Sequence, residues 1–167
     1  MEIKKILHLG KMYFIALRPF SLTLAFASTS YGILAAFIND LLFTDRFWHD
    51  ILLIILITIA GIASQAGANL INDYFEGSFK YKNSSKKTRN FLGRQRTNFD
   101  IFVFISGIAA LGIAGLIGIY LIYLTDLWML VIGLIGLIGS YAYTGEPFVY
   151  KRRALGVPLS FVLMGLF

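Results

Sequence analysis

The sequence has 167 residues, of which 57% are hydrophobic and only 14% are charged, and its mean hydropathy is +0.74. Soluble domains are about 45–50% apolar and about 25% charged, so this composition excludes an ordinary soluble domain and indicates a polytopic membrane protein. The formal charge of +6 is compatible with nucleic acid or anionic lipid as a partner, and the lack of cysteine excludes disulfides and thiolate metal sites.

The N-terminal segment, MEIKKILHLGKMYFIALRPF, does not have the form of a cleavable signal peptide. Its apolar stretches are short and are interrupted by Lys11 and Arg18, and no A-x-A-like site follows. We expect an amphipathic segment that lies along the membrane interface, with Leu7, Met12 and Phe14 against the lipid. A disordered tail is the alternative.

Four stretches are long and apolar enough to cross the hydrocarbon core of a bilayer, which takes about 20 residues of helix. They are residues 19–38, 51–71, 101–124 and 127–143. A fifth stretch, 155–167, is too short for a full span, and we expect an unfinished span or a half-helix there. The predicted fold is therefore an all-α transmembrane bundle of four full spans and an incomplete fifth, in a single membrane domain over residues 1–167.

The basic residues indicate the orientation of these spans. All but one of the 15 Lys and Arg residues precede the first span or lie between spans 2 and 3 or spans 4 and 5, and the exception is Arg46. By the positive-inside rule, that side is cytoplasmic and the N-terminus is inside. The sequence therefore predicts a multi-pass protein of the cell (inner, cytoplasmic) membrane.

The run KYKNSSKKTRNFLGRQR, residues 80–96, contains half of those basic residues. One interpretation is a cytoplasmic loop that only sets the topology. Another is that some of its cations hold an anionic ligand. Nucleic acid is excluded as a partner, because the loop is tethered at a bilayer and belongs to no recognised nucleic-acid-binding module.

A polar stripe ends the second span. Because each helical residue advances about 100°, the polar side chains of this segment fall within one arc and must face the bundle interior or a watery cavity. They are Gln65, Asn69, Asn72, Asp73 and Glu76.

This polar stripe has two interpretations. Hydrogen bonds between helices explain the amides, but they explain poorly two acids one helical turn apart, Asp73 and Glu76, unless a positive charge lies between them. Hard oxygen ligands at a cytoplasmic helix end favour Mg²⁺, and Mg²⁺ beside a cationic loop is suited to a diphosphate. Glu76 has the alternative of pairing with Lys80. No Gly-rich phosphate loop is present, which disfavours an ATPase.

Glycines recur every three residues in two of the spans, at 112, 115 and 118 and at 133, 136 and 139. This spacing suggests close helix packing rather than chemistry.

Three motifs carry a resemblance to a known family. NLINDYFEG follows the second span, RPFSL opens the first, and YTGEPFVYKRRALG follows the fourth. In this order they resemble the UbiA superfamily of intramembrane aromatic prenyltransferases, and their wording is most similar to its 1,4-dihydroxy-2-naphthoate polyprenyltransferase branch. The resemblance covers the whole chain, which corresponds to the N-terminal half of the family's nine-helix fold. The family's second acidic motif has no counterpart here.

The resemblance implies Mg²⁺-dependent transfer of a polyprenyl group from an allylic diphosphate to an aromatic acceptor in quinone (menaquinone) biosynthesis. By position, Asp73 corresponds to the leading metal ligand of the first acidic motif, and the resemblance implies that Asp73 and Glu76 are its catalytic and metal-binding residues. Glu76 is the second acid, where the family usually has Asp. Asn69 and Asn72 lie at the start of the motif, and the resemblance implies that they bind substrate. The third acid of the motif is missing, because residues 79–82 provide none, and this departure should weaken metal binding.

The resemblance also implies substrate-binding residues outside that motif. Arg18 corresponds to the arginine near the cytoplasmic mouth of the cavity, and Tyr143 lies on the acceptor side. Lys151, Arg152 and Arg153 form the basic loop that contacts the diphosphate.

Two rival functions stay open. The first is a non-catalytic half-length protein that binds prenyl diphosphate, or that assembles with a partner half or as a homo-oligomer. The full reaction would then depend on a second acidic motif from elsewhere. The second is a small ion transporter that uses the polar stripe as an ion site, although no inverted repeat is visible.

Overall fold

The computed structural model describes residues 2–76, 88–124, 127–142 and 147. In chain order the elements are α1 (Glu2–Leu17), α2 (Pro19–Ile38), α3 (Phe47–Glu76), β1 (Arg89–Phe91), β2 (Arg94–Arg96), α4 (Asn98–Leu124) and α5 (Trp128–Ala142). The molecule is a helical bundle with one short hairpin, which confirms the predicted all-α membrane fold. The predicted fifth span lies outside the described residues.

Three of the described helices, α2, α3 and α4, are long and apolar enough to cross a membrane. At 30 residues, α3 is about 45 Å long, so it is longer than the ~30 Å hydrocarbon core. The fourth predicted span is represented by α5, which has 15 described residues.

The N-terminal segment is helical rather than a disordered tail. Leu7 and Phe14 on α1 are exposed, as expected for lipid-facing side chains, whereas Ala16 is buried against the bundle. α1 ends at Leu17, and the next residue, Arg18, has a left-handed backbone with φ 50° and ψ 67°. Pro19 causes this break, because a proline disfavours the helical conformation of the residue before it and is tolerated in the first turn of the next helix.

α3 and α4 pack closely at Gly67 and Gly107. A Cβ on Gly67 would lie 2.9 Å from the Gly107 backbone oxygen and 2.8 Å from the Leu111 Cγ, so only glycine permits this approach. The glycines predicted to pack closely behave differently: Gly112 and Gly118 have open space where a Cβ would be, as have the α5 glycines 133 and 136. The prediction of tight packing was wrong for these four positions within the described chain.

A two-stranded antiparallel hairpin, which the sequence analysis did not predict, leads into α4. Arg89 lies opposite Arg96 in its register. Leu92 and Gly93 form its turn, and both have positive φ (48° and 70°), as in the primed turns that match strand twist. The strands are rich in arginine and lack alternating apolar residues, so the usual strand signal is absent.

Two apolar clusters hold α3 to its neighbours. The first joins Ile71, Tyr74 and Phe75 to Leu111 of α4, and the second joins Leu70 and Val103 to Ala16 of α1. The α1–α2 junction, the C-terminal end of α3, the hairpin and the start of α4 therefore meet at one end of the bundle.

Candidate functional site

The polar stripe lies at that end of the bundle, on the last turns of α3. Asn69 and Asn72 are buried, whereas Gln65, Asp73 and Glu76 are half-buried. Polar side chains on a membrane-spanning helix are stable where they have hydrogen-bond or ion-pair partners.

Arg18 joins two members of the stripe. Its Nη2 donates to Glu76 Oε2 at 2.6 Å. With the Asn72 amide oriented to satisfy its hydrogen bonds, the Asn72 side-chain oxygen accepts from Nη1 and Nη2 of Arg18 at 2.8 and 2.7 Å. Glu76 is the last described residue of α3, and the guanidinium neutralises its negative charge.

The Arg18 side chain reaches the stripe because of the break between α1 and α2. The Arg18 backbone oxygen accepts from the Ser21 backbone N–H at 2.8 Å and from the Ser21 hydroxyl at 2.9 Å, which fixes the first turn of α2. Three sequence-predicted residues, Arg18, Asn72 and Glu76, are thus brought together. The positive charge that the paired acids required is supplied, at Glu76, by a residue of the chain itself.

Asn69 has a different role in the structure. Its Nδ2 donates to the Leu17 backbone oxygen at 2.8 Å and to the Ser21 hydroxyl at 2.6 Å. The Leu17 oxygen is at the C-terminal end of α1, where helix carbonyls lack partners within the helix. Asn69 therefore ties α3 to the α1–α2 junction, which is the contact expected of an amide that holds a bundle together.

Along the chain, Asp73 follows Asn72 and precedes the aromatic residues Tyr74 and Phe75, and its side chain is partly exposed. No group of three or more His, Cys, Asp or Glu side chains forms a metal cluster among the described residues. Mg²⁺ commonly takes only one or two carboxylates and completes its shell with water and phosphate oxygens. The oxygens of Asp73 and Glu76 fit that donor set, but Oε2 of Glu76 is shared with Arg18.

Two hairpin arginines reach the same end of α3, and the sequence analysis did not single them out. The Arg96 guanidinium lies over the Tyr74 ring at 4.9 Å and that of Arg94 over the Phe75 ring at 5.5 Å, both cation–π contacts. The Tyr74 hydroxyl donates to the Phe91 backbone oxygen at 3.1 Å. The R-x-R spacing was the available signal, because residues two apart share one face of a strand.

The remaining predicted site residues are outside the described part of the chain. They are Tyr143, Lys151, Arg152 and Arg153, and Lys80, the alternative partner of Glu76, is outside it as well.

Comparison with known proteins gives one match. The sequence model of the UbiA prenyltransferase family matches residues 31–167, most of the chain. No curated protein and no solved structure matches it. The matched range includes α3 with its polar stripe and the hairpin, whereas Arg18 precedes it.

Proposed function

The chain belongs to the UbiA prenyltransferase family, and from this we propose that it acts in the transfer of a polyprenyl group from an allylic diphosphate to an aromatic acceptor. The observation that carries the proposal is the cluster in which Arg18 contacts Asn72 and Glu76 beside Asp73. It places one guanidinium and two carboxylates at the end of an apolar bundle.

The reaction explains why such a cluster suits this place. The bond between the allylic carbon and the diphosphate oxygen breaks, and the diphosphate leaves with the electron pair. A ring carbon of the acceptor forms the new C–C bond, and the ring gives up a proton to water. Negative charge develops on the leaving group, where preorganised cations stabilise it most. The allylic centre is protected by a surrounding that excludes water.

In this proposal Arg18 binds the diphosphate oxygens. Its guanidinium has five N–H donors in a planar fork that suits phosphate. Asn72 and Glu76 hold that guanidinium in one orientation, so less conformational entropy is lost when the substrate binds. When the diphosphate binds, its oxygens accept hydrogen bonds from Arg18 in place of, or in addition to, Asn72 and Glu76.

We further propose that Asp73 and Glu76 are the Mg²⁺ ligands of this site. Bound Mg²⁺ supplies charge neutralisation of the diphosphate. The number and hardness of the two carboxylates support this assignment. The chain's contribution is to keep the two acids one helical turn apart and to place Arg18 between Glu76 and the substrate.

The acceptor class and orientation are also proposals. The NLINDY and YTG-P wording supports the naphthoate branch and a role in menaquinone biosynthesis. The predicted cytoplasmic side is supported by the meeting of the α1–α2 junction, the α3 end and the hairpin at one end of the bundle. In this proposal the diphosphate end of the substrate lies at the cytoplasmic face of the cell membrane.

The test is prenyl transfer by membranes that contain the protein in its native form. Labelled polyprenyl diphosphate, Mg²⁺ and either a dihydroxynaphthoate or a hydroxybenzoate are supplied, and the prenylated product is measured. We expect product with one acceptor and at least a hundredfold loss in Asp73→Asn. Asp45→Asn is the matched control, because Asp45 is an exposed acid in the loop between α2 and α3.

Absence of product with both acceptors, or equal activity of the two variants, contradicts the proposal. Diphosphate binding that depends on Asp73 without any transfer favours the non-catalytic binding protein instead.

A further inference from the structure

The hairpin buries an arginine that the proposed function does not use. Arg96 is only 3% exposed. Its Nη1 donates to the Gln95 backbone oxygen at 3.4 Å, a long hydrogen bond. Its Nε and Nη2 are buried and have no hydrogen-bond partner within the part of the chain that the structure describes. The guanidinium as a whole contacts the Tyr74 side chain, but burying two N–H donors without hydrogen bonds is costly, so these two atoms require a physical explanation.

The two nitrogens form one edge of the guanidinium. Nε–H and the adjacent Nη2–H point in the same direction, at a spacing that matches the two oxygens of a carboxylate or phosphate group. The weak bond to Gln95 uses the opposite side of the group. The edge that suits an oxyanion is therefore the one that lacks a partner.

The acid nearest in sequence is engaged elsewhere. Asp100 Oδ2 accepts from the Thr97 backbone N–H at 2.9 Å and from the Thr97 hydroxyl at 2.7 Å, and the Asp100 N–H donates back to that hydroxyl at 3.2 Å. This reciprocal capping box begins α4. Arg96 forms no ion pair with any acid among the described residues.

The same contacts hold Arg96 in place. Its guanidinium lies over the Tyr74 ring at 4.9 Å, the Tyr74 hydroxyl is bonded to Phe91 of β1, and the α4 cap begins at the next residue. Arg89, directly across the hairpin, and Arg94, two residues earlier, make the local field positive.

We propose that Arg96 is the anchor of an oxyanion-binding site on the hairpin, which accepts a carboxylate or phosphate group through its Nε–H and Nη2–H. The site goes beyond the proposed function, because it uses neither Arg18 nor the acids of the polar stripe. The anion has two possible sources, the carboxylate of an aromatic acid and a phosphate group. Both nitrogens are covered by protein atoms, so the hairpin shifts to admit the anion. Two strands of three residues have little stability of their own to oppose this.

The experiment compares Arg96→Met with Arg89→Met. Both variants lose one positive charge from the same hairpin, but Arg89 is exposed. The full chain in detergent is titrated with inorganic pyrophosphate and, separately, with benzoate. Ionic strength is held constant with sodium chloride, and EDTA removes divalent cations. The thermal unfolding midpoint is followed.

We expect saturable stabilisation of the wild type and of Arg89→Met by at least one anion, and at least tenfold weaker binding by Arg96→Met. A response to pyrophosphate alone assigns a phosphate group, and a response to benzoate alone assigns a carboxylate. The inference is overturned if neither anion stabilises the wild type, or if the two variants respond equally.

Stability without the anion gives a second readout. Arg96→Met removes a buried charge that has no ion-pair partner among the described residues, but it also loses the cation–π contact with Tyr74, so its midpoint without anion should stay close to that of the wild type. A lower midpoint together with an absent anion response identifies Arg96 as a structural cation–π residue only and overturns the inference. Because no Mg²⁺ and no turnover are involved, failure here is distinct from failure of the prenyl-transfer test.

Discussion

Arg18 and Glu76 form an ion pair at 2.6 Å although 58 positions separate them in the chain. The pair joins the break between α1 and α2 to the last residue of α3. Their side chains are 42% and 36% exposed, so water and salt reach the contact. Exposed pairs of this kind contribute about 0–1 kcal/mol to stability. The pair is therefore suited to positioning a cation, and the fold does not depend on it.

Arg18→Lys tests that positioning role. Lysine keeps the charge but cannot bond Glu76 and Asn72 through one planar group, so we expect prenyl transfer to fall at least tenfold, or about 1.4 kcal/mol in the barrier. The free energy of unfolding should change by less than about 1 kcal/mol. Arg46→Lys, an exposed arginine in the loop between α2 and α3, is the control. Equal activity of both variants would show that the orientation of Arg18 is unimportant.

Asn69→Ala tests the tie between α3 and the α1–α2 junction. It removes both hydrogen bonds from Nδ2 and leaves the Leu17 backbone oxygen without that donor. We expect a loss of about 1–3 kcal/mol in the free energy of unfolding, measured by denaturation in detergent. Ser21→Ala removes one of the two acceptors of Asn69 and the hydroxyl's own bond to the Arg18 backbone oxygen. That oxygen keeps the Ser21 backbone N–H as a donor and Asn69 keeps Leu17, so this variant should cost less. An unchanged stability in Asn69→Ala would contradict the structural role given to this amide.

Gly67→Ala tests the contact between α3 and α4. The new methyl group would meet the backbone oxygen of Gly107 at 2.9 Å, and because a backbone atom moves aside only at a cost, we expect destabilisation by about 1–3 kcal/mol. Gly112→Ala on α4 is the matched control, since open space surrounds that position. It should be neutral or more stable by up to about 1 kcal/mol. Thermal unfolding of both variants side by side decides the point, and the reverse order would contradict the packing.

Thr97→Val tests the start of α4. Valine keeps the shape of threonine but loses the hydroxyl that donates to Asp100 and accepts from its N–H. Loss of such a cap costs about 0.5–2 kcal/mol, which we expect in the thermal unfolding of the variant. Thr23→Val, which removes only an exposed hydroxyl bonded to Phe20 within α2, serves as the control. No difference between the two variants would show that the cap does not stabilise α4.

Much of the fold could be predicted from the sequence because helix formation in an apolar segment is a local matter. The bonds that define a helix run between residues four apart, and apolar length alone indicates a span. Predicted span 19–38 and helix α2, Pro19–Ile38, cover the same residues. The polar stripe was visible for the same reason, since the helical period fixes which side chains share a face. The family could also be named from short motifs, and the family match agrees with that assignment.

Only the tertiary structure shows which residues contact one another. The sequence shows that Glu76 and Asp73 need positive charge nearby, but it does not show that Arg18, 58 positions away, contacts Glu76. It shows many glycines, but not that Gly67 and Gly107 are the pair that meet. The sequence shows that Arg96 belongs to a basic run. It does not show that the guanidinium lies over the Tyr74 ring or that one of its edges is buried. These contacts join segments far apart in the chain. They are therefore set by how the helices pack and where the chain reverses direction. The local periodicity of the sequence does not contain this information.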